Sequence, residues 1–243
     1  MIYQFEISRT KHGDRTSRLQ RIRWETADES ATVASALTGM NADPDLRDEN
    51  GEAVGHIFWE CSCLQKKCGA CAMRINGVPR LACDTPLSSL GKKPIRLEPL
   101  KKFPVIADLM TDRQVMFDNL REMKIWLDRE CSQTEDRDGV AFEASRCLQC
   151  GCCLEVCPNF LPGGSFTGTA ACVPASRIIA EMESPAQTEL GRLYRKRIYE
   201  GCGKSLSCRN ICPAGIDIDK LLVHSNAAAV WNKSVHSPGK MLH

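Results

Sequence analysis

Cysteine is the residue that most constrains this chain. Thirteen of its fifteen cysteines lie in three short segments, 61–83, 147–157 and 202–212. A chain of 243 residues is long enough to bury a hydrophobic core, so it does not depend on disulfides to fold. An odd number of cysteines also leaves one thiol over in any complete disulfide set, and neighbouring thiols in a reducing compartment are usually metal ligands or catalytic groups. The three segments therefore predict metal sites.

The first segment carries the cysteine pattern of a 2Fe-2S cluster. Its ligands follow spacings of x4, x2 and x11, and they are Cys63, Cys68, Cys71 and Cys83. The C-x4-C-x2-C part is typical of plant-type 2Fe-2S ferredoxins, whose fourth ligand comes later in the chain. Gly69 and Ala70 are small enough to let backbone N–H groups approach the sulfides. A four-cysteine zinc site is the alternative, although zinc ribbons usually contain two C-x2-C pairs.

The second and third segments together carry the pattern of a two-cluster bacterial ferredoxin. The second matches C-x2-C-x2-C-x3-C-P, with Cys147, Cys150, Cys153 and Cys157. The third has x5 and x3 spacings before a proline, with Cys202, Cys208 and Cys212. In two-cluster ferredoxins the fourth cysteine of one run binds the other cluster. This exchange predicts a 4Fe-4S cluster on Cys147, Cys150, Cys153 and Cys212, and a 3Fe-4S cluster on Cys157, Cys202 and Cys208.

Ser205 stands where superposition of the two runs would place another cysteine. A serine alkoxide is one candidate ligand for a fourth iron, but we favour a polar loop residue without metal contact. Four cysteines are not assigned to any cluster, and burial in the core is the default prediction for them. They are Cys61, Cys131, Cys152 and Cys172.

The two halves of the chain differ in predicted secondary structure. Apolar patterns predict strands at 2–7, 19–24 and near 54–59, 73–75 and 94–98, with a short helix at 31–37. Two prolines within 99–104 mark a linker. Beyond it, apolar residues from Val105 to Leu127 approximate helical spacing, and 175–199 predicts another long helix. The sequence therefore predicts an α+β chain, β-rich over 1–102 and mainly α-helical over 103–243.

Charge, hydropathy and motif content exclude several functions. The chain has 32 Lys and Arg against 30 Asp and Glu, a balance that argues against nucleic acid as a partner. No apolar run approaches the roughly 18 to 20 residues of a membrane span, and the first residues predict a strand rather than an export signal. We find no flavin fingerprint, no nucleophile with its base and no open metal site. The predicted chemistry is one-electron transfer along a relay, with no catalytic residue for an organic substrate in this chain.

The order and spacing of these motifs resemble the iron-sulfur subunits of succinate dehydrogenases and fumarate reductases, the complex II family. The segments that carry the resemblance are Cys63 to Gly77, Leu81 to Cys83, Arg96 to Pro99, Phe103 to Leu109, Cys147 to Asn159 and Cys202 to Gly215. The resemblance implies a β-grasp 2Fe-2S ferredoxin-like domain followed by an α-helical ferredoxin domain with the 4Fe-4S and 3Fe-4S clusters.

The resemblance also implies partners and a location. In such complexes a flavoprotein subunit with covalent FAD interconverts succinate and fumarate, and electrons pass through the 2Fe-2S, 4Fe-4S and 3Fe-4S clusters to a quinone at a membrane anchor. By this resemblance the chain is peripheral on the cytoplasmic face of the cell membrane, with no transmembrane segment of its own.

One departure from the family pattern concerns the quinone. Many members place a tryptophan a few residues after the first Cys-Pro and a histidine directly after the cysteine here numbered 202. This chain instead has Phe160, Leu161 and Pro162, and it has Gly203 after Cys202. The pattern resembles members that work with menaquinone and a dihaem cytochrome b anchor, which carries haem b.

Two alternatives to this functional interpretation stay open. The chain could be a relay for a related flavoprotein with another organic acid, or a free multi-cluster ferredoxin.

Overall fold

The computed structural model describes residues 1–10, 16–126, 136, 138–182 and 184–231. These residues form two compact units. The first contains Met1–Arg113 together with Leu148–Glu155, and the second contains Gln114–Cys147 and the described residues from Val156 onward. An eight-residue piece from the middle of the second cysteine segment therefore belongs to the first unit.

The first unit is built on a five-stranded sheet with the order β2-β1-β5-β3-β4. Its strands are β1 (Ile2–Arg9), β2 (Arg18–Glu25), β3 (Ala72–Ile75), β4 (Val78–Leu81) and β5 (Ile95–Glu98). Strands β1 and β2 are antiparallel, whereas β1 and β5 are parallel. Phe5 pairs with Ile22 on one side and Ile95 on the other, and all three side chains are buried. Alternation along β1 thus places Phe5 and Ile7 in the core.

A short helix, α1 (Val33–Ala42), follows the β1–β2 hairpin. Thr32 and Ser35 form a capping box, in which each side chain accepts the backbone N–H of the other residue. The capping box satisfies N–H groups that the first helical turn leaves without a partner. Val33, Leu37 and Met40 are buried on one side of the helix. A mixed sheet with this helix after its first hairpin is the β-grasp arrangement that the resemblance implied.

The strand predicted near 54–59 is wrong. These residues do not lie in a strand, and side chains bind several of their backbone groups. Asn41 Oδ1 accepts the N–H of Ile57 at 2.8 Å, and its Nδ2 donates to the Ile57 carbonyl at 2.9 Å. Asp108 Oδ2 accepts the N–H of Phe58 at 2.9 Å. This segment leads directly into the first cysteine loop.

The helical pattern from Val105 is also wrong over its first residues. Residues 105–111 form a hairpin of β6 (Val105–Ala107) and β7 (Met110–Thr111). Asp108 turns the chain with a φ of 45°, a left-handed conformation that aspartate adopts more readily than most residues. Helix α2 then begins at Gln114 and ends at Glu122. Leu127 and Cys131 lie outside the described residues.

The second unit is helical, as predicted. Besides α2, it contains α3 (Val140–Ser145), α5 (Thr169–Ala180), α6 (Glu189–Tyr194) and α7 (Ile218–Ala229), while the one-turn α4 (Cys152–Glu155) belongs to the first unit. Helix α5 contacts α2, α3, α6 and α7, so it is the centre of this unit.

The single helix predicted for 175–199 is broken. Helix α5 ends at Ala180, and Ser184 before Pro185 is not helical, because proline disfavours the helical conformation of the residue before it. Thr188 then starts α6 by accepting the N–H of Gly191 at 3.0 Å.

In the part of the chain that the structure describes, no helix combines the length and apolar composition needed to cross a membrane.

Candidate iron-sulfur sites

The β3–β4 hairpin positions two of the four predicted 2Fe-2S ligands. Cys71 directly precedes β3, and Cys83 lies in a single 3-10 turn after β4. The hairpin pairs Ala72 with Leu81, and the N–H of Ala82 donates to the Cys71 carbonyl at 3.0 Å. The Cys71 and Cys83 sulfurs are consequently 3.4 Å apart. Burial raises the pKa of the Cys71 thiol to about 12.

Backbone N–H groups of the loop 63–68 point at the predicted ligands. Gln65 and Lys67 donate to Cys63 Sγ, and Lys66 donates to Cys83 Sγ, each at 3.3 Å. These N–H groups, first that of Gln65, and contact with the Cys68 side chain lower the pKa of Cys63 to about 7. Since thiolates are the form that binds metal, the loop stabilises the state of Cys63 that a cluster requires.

The conformation of this loop is strained in a way that suits an anionic cluster. Leu64 and Lys66 have φ values of 53° and 58°, a left-handed region that costs an L-residue roughly 1–2 kcal/mol. Left-handed residues alternating with right-handed ones turn successive N–H groups to one side, which creates the concave anion sites found around phosphates and iron-sulfur clusters. The four predicted cysteine ligands beside such a loop form a donor set that fits a cluster of two irons.

The second cysteine segment is divided between the units. Cys150 and Cys153 belong to 148–155 in the first unit, whereas Cys147 and Cys157 belong to the second. Gln149 has a φ of 48°, so a left-handed residue again precedes a predicted ligand. Contact with the Cys152 thiol, together with the charge of Arg113, lowers the pKa of Cys150 to about 7 despite its burial.

Within the first unit, the loop of the 2Fe-2S ligands touches the loop of Cys150. A Cβ on Gly69 would lie 2.6 Å from the carbonyl oxygen of Leu148 and 2.8 Å from Cys150 Cβ. Only a residue without a side chain allows this approach. Gly69 immediately follows Cys68, so the structure brings ligands predicted for two different clusters to neighbouring positions.

The 148–155 segment is fixed to the sheet by Glu155 of α4. Its carboxylate accepts from Arg74 Nη1 at 3.1 Å and from the backbone N–H groups of Lys101 and Lys102 at 3.0 and 3.1 Å. Arg74 lies in β3, three residues after Cys71. No sequence motif points to Glu155, Arg74 or Arg113, because their residue types and spacing are ordinary.

The three predicted 3Fe-4S ligands all lie in the second unit. Burial raises the pKa of the Cys208 thiol, and the charges of Cys157 and Cys202 act in the same direction. Asn159 Nδ2 donates to the carbonyl of Gly201 at 2.9 Å and so connects the segments of Cys157 and Cys202.

The loop between Cys202 and Cys208 repeats the backbone pattern of the first loop. Lys204 and Leu206 have φ values of 55° and 54°, two residues apart as in Leu64 and Lys66. Ser205 lies between them, exposed to solvent, and its Oγ is 3.3 Å from Ser207 Oγ. This contact gives Ser205 a polar partner within the loop. The donor set therefore fits a cluster bound by three thiolates.

The other two predicted 4Fe-4S ligands, Cys147 and Cys212, also lie in the second unit. Glu143 accepts from Arg146 Nη1 at 2.9 Å and from the N–H of Asp217 at 2.9 Å, and Arg146 Nη2 donates to the Ala214 carbonyl. These bonds connect the residue before Cys147 with those after Cys212. Binding of one cluster by Cys147, Cys150, Cys153 and Cys212 stays a prediction.

The unassigned cysteines differ in burial. Cys152 and Cys172 are buried, as predicted. The prediction for Cys61 is wrong, because Cys61 lies exposed at the start of the first cysteine loop. Cys131 falls outside the described residues. No group of three or more Cys, His, Asp or Glu side chains surrounds a single metal-ion position in the described ranges.

Comparison with known proteins identifies both units. Residues 4–118 match a family of 2Fe-2S iron-sulfur cluster binding domains, and residues 143–216 match a family of 4Fe-4S dicluster domains. The succinate dehydrogenase iron-sulfur subunit of Bacillus subtilis is 36% identical over 197 residues, which cover 76% of each chain. The chain belongs to the iron-sulfur subunit family of succinate dehydrogenases and fumarate reductases. The subunit is thus an electron-transfer component of an oxidoreductase.

Further relatives agree with this assignment. The fumarate reductase iron-sulfur subunit of Mycobacterium tuberculosis is 31% identical over 175 residues, covering 67% of this subunit and 70% of the relative. A chain in the structure titled "Mycobacterium smegmatis Sdh1 complex in the apo form" has a TM-score of 0.74 at 21% identity, covering 97% of this subunit and 99% of that chain. The fold of the subunit is therefore the predicted α+β arrangement, and its domains are those of 2Fe-2S and 4Fe-4S clusters rather than zinc sites.

Proposed function

We propose that the subunit carries electrons between the FAD of a flavoprotein subunit, where succinate and fumarate are interconverted, and menaquinone at a membrane anchor. The clusters, when bound, supply one-electron carriers at 2Fe-2S, 4Fe-4S and 3Fe-4S sites. The observation that supports the proposal is the close approach of Gly69 to Leu148 and Cys150, residues next to or among the predicted ligands of successive clusters.

The residues of the chain hold each cluster and adjust its charge. Cys63, Cys68, Cys71 and Cys83 hold the 2Fe-2S cluster, with three backbone N–H groups directed at two of these sulfurs. Such hydrogen bonds to thiolate sulfurs favour the reduced, more negative state. Cys147, Cys150, Cys153 and Cys212 hold the 4Fe-4S cluster. Cys157, Cys202 and Cys208 hold the 3Fe-4S cluster, the only site with three thiolates.

The partners and location follow from the same family. We propose a flavoprotein with covalent FAD, and an anchor of dihaem cytochrome b that carries haem b and places the subunit on the cytoplasmic face of the membrane. Gly203 stands where many members have a histidine, and Leu161 is exposed, which supports an anchor that builds its own quinone site. The domain limits 1–102 and 103–243 also stay a prediction.

The cluster content is tested by low-temperature electron paramagnetic resonance on the anaerobically purified, oxidised protein. Only the 3Fe-4S cluster is paramagnetic in this state, so we expect a near-isotropic signal of about one spin and about nine irons per chain from the ligand count. Ser205→Cys supplies the missing thiolate and should abolish the signal while iron rises to about ten. Ser207→Cys is the matched control and should keep the signal. A wild type without the signal and with about ten irons would overturn the three-iron site.

The partner is tested by purification from membranes. A tagged subunit should bring with it a flavoprotein whose flavin stays attached after denaturation, and the purified complex should reduce an artificial acceptor with succinate. A diffusible ferredoxin would purify alone from the soluble fraction. A complex with covalent flavin but without succinate activity would indicate the sister function on another organic acid.

A further inference from the structure

We propose that Arg113 is a positioning residue that holds the ligand loops of the 2Fe-2S and 4Fe-4S clusters against each other and raises the reduction potentials of both clusters. This inference rests on the proposed function, because it requires that Cys68 and Cys71 bind one cluster and Cys150 the next. Arg113 ends the continuous part of the first unit, immediately before α2.

The guanidinium of Arg113 binds three backbone carbonyls from two loops. Nη1 donates to the carbonyls of Gly69 and Cys150 at 3.0 and 3.1 Å, and Nη2 donates to the carbonyl of Ala70 at 3.1 Å. Gly69 and Ala70 lie between the predicted ligands Cys68 and Cys71, and Cys150 is itself a predicted ligand. One side chain therefore connects segments about 80 residues apart in sequence at the positions where they bind clusters.

The geometry of this contact requires arginine. A guanidinium is planar and offers five N–H donors in a fixed fork, whereas an ammonium is a compact charge with three donors. Carbonyls in tight loops have no ladder partner, and a buried carbonyl without a hydrogen bond costs free energy. Arg113 supplies these bonds from a side chain that is only 12% exposed.

The charge of Arg113 acts on both clusters. A cluster bound by thiolates becomes more negative on reduction, so a nearby cation stabilises its reduced state. Glu60 pairs with the guanidinium, but its side chain is 38% exposed against 12% for Arg113. Solvent screens the exposed carboxylate more strongly than the enclosed guanidinium. The net contribution of the Arg113–Glu60 pair at the two loops is therefore positive.

The test compares Arg113→Gln and Arg113→Lys in the complete, cluster-loaded protein. Arg80→Gln is the control, because Arg80 is exposed in β4 of the same unit and the change in net charge is the same. The readouts are the two midpoint potentials, the magnetic broadening between the reduced clusters, and hydrogen exchange of residues 148–155. Iron and sulfide assays show whether both clusters are present before any comparison is made.

We expect Arg113→Gln to lower both potentials, with the ratio of reduced to oxidised cluster falling about tenfold at a fixed potential, or about 59 mV for one electron. The magnetic broadening between the reduced clusters should weaken, and hydrogen exchange of residues 148–155 should accelerate. Arg113→Lys should keep both potentials close to those of the wild type, but hydrogen exchange of residues 148–155 should still be faster than in the wild type. Arg80→Gln should change none of the readouts.

Two results would overturn this inference. One is a cluster-loaded Arg113→Gln protein with wild-type potentials and wild-type broadening, even if it is less stable, because Arg113 would then serve stability alone. The other applies if Arg113→Gln does not fold. Wild-type hydrogen exchange and wild-type broadening in the Arg113→Lys protein would then contradict the inference. A wild type that lacks either cluster would instead overturn the cluster assignment on which the inference rests.

Discussion

Gly69→Ala should lower the free energy of local opening of residues 148–155 by about 2–5 kcal/mol, the combined cost of overpacking and of a left-handed L-residue. The added Cβ would lie 2.6 Å from the Leu148 carbonyl oxygen and 2.8 Å from Cys150 Cβ, and Gly69 has a φ of +73°. Relief requires the two loops to separate, so electron transfer between their clusters should slow as well. Hydrogen exchange of the segment measures the opening, and the rate of cluster reduction measures the transfer.

Gly139→Ala separates the two costs. Gly139 lies in the left-handed region with a φ of 63°, and no atom lies within 4 Å of the position of a Cβ. This variant carries the cost of a left-handed L-residue without the collision, and it should cost only about 1–2 kcal/mol. If Gly69→Ala were no more harmful than Gly139→Ala, the close approach of the loops would have no energetic importance.

Glu155→Ala should release the same segment by a different route and destabilise it by about 3–5 kcal/mol, the usual cost of removing one partner from a buried ion pair. The Glu155 side chain is 2% exposed, and Arg74 is 21% exposed. Removal of the Glu155 carboxylate deprives Arg74 and the N–H groups of Lys101 and Lys102 of their shared acceptor. We expect faster hydrogen exchange in 148–155 and loss of the 4Fe-4S cluster before the 2Fe-2S cluster on warming.

Glu52→Ala is the matched control for this variant. Glu52 pairs with Arg18 at 3.4 Å, but both side chains are more than 60% exposed. Exposed pairs contribute roughly 0–1 kcal/mol, so exchange and cluster retention should stay close to wild type. An equal effect of the two substitutions would show that burial of Glu155 is unimportant.

Cysteine spacing alone leads to a prediction of the ligand sets, because cluster chemistry fixes that spacing, and the family matches confirm the two kinds of cluster domain. The assignment of each cysteine to its cluster stays a prediction. The x4 spacing before Cys68 and the two cysteine runs that end in Cys-Pro are compatible with few other kinds of site.

The sequence also predicted β1, β2, β3, β5 and α1, whose apolar residues repeat with the period of their element. It failed at 54–59, where Asn41 and Asp108 satisfy backbone groups from distant positions. It also failed at 105–111, where Asp108 turns the chain in a left-handed conformation. Periodicity contains no information about either feature.

The supporting residues were not predictable for a related reason. Arg113 and Glu155 are ordinary charged residues in sequence, and they acquire meaning only when the chain brings Gly69, Cys150 and Arg74 to them. The alternation of left-handed residues at Leu64 and Lys66 is equally invisible, because neither residue favours that conformation. It becomes apparent only from the backbone geometry.

The placement of 148–155 in the first unit limits how the chain can be divided. A fragment that stops at Arg113 would contain the whole sheet and the 2Fe-2S ligands, yet it would lack Glu155 and the Cys150 carbonyl. Arg74 and Arg113 would then face solvent where they now bind the segment. Although two ferredoxin patterns follow each other in the sequence, cutting between them does not yield two self-sufficient modules.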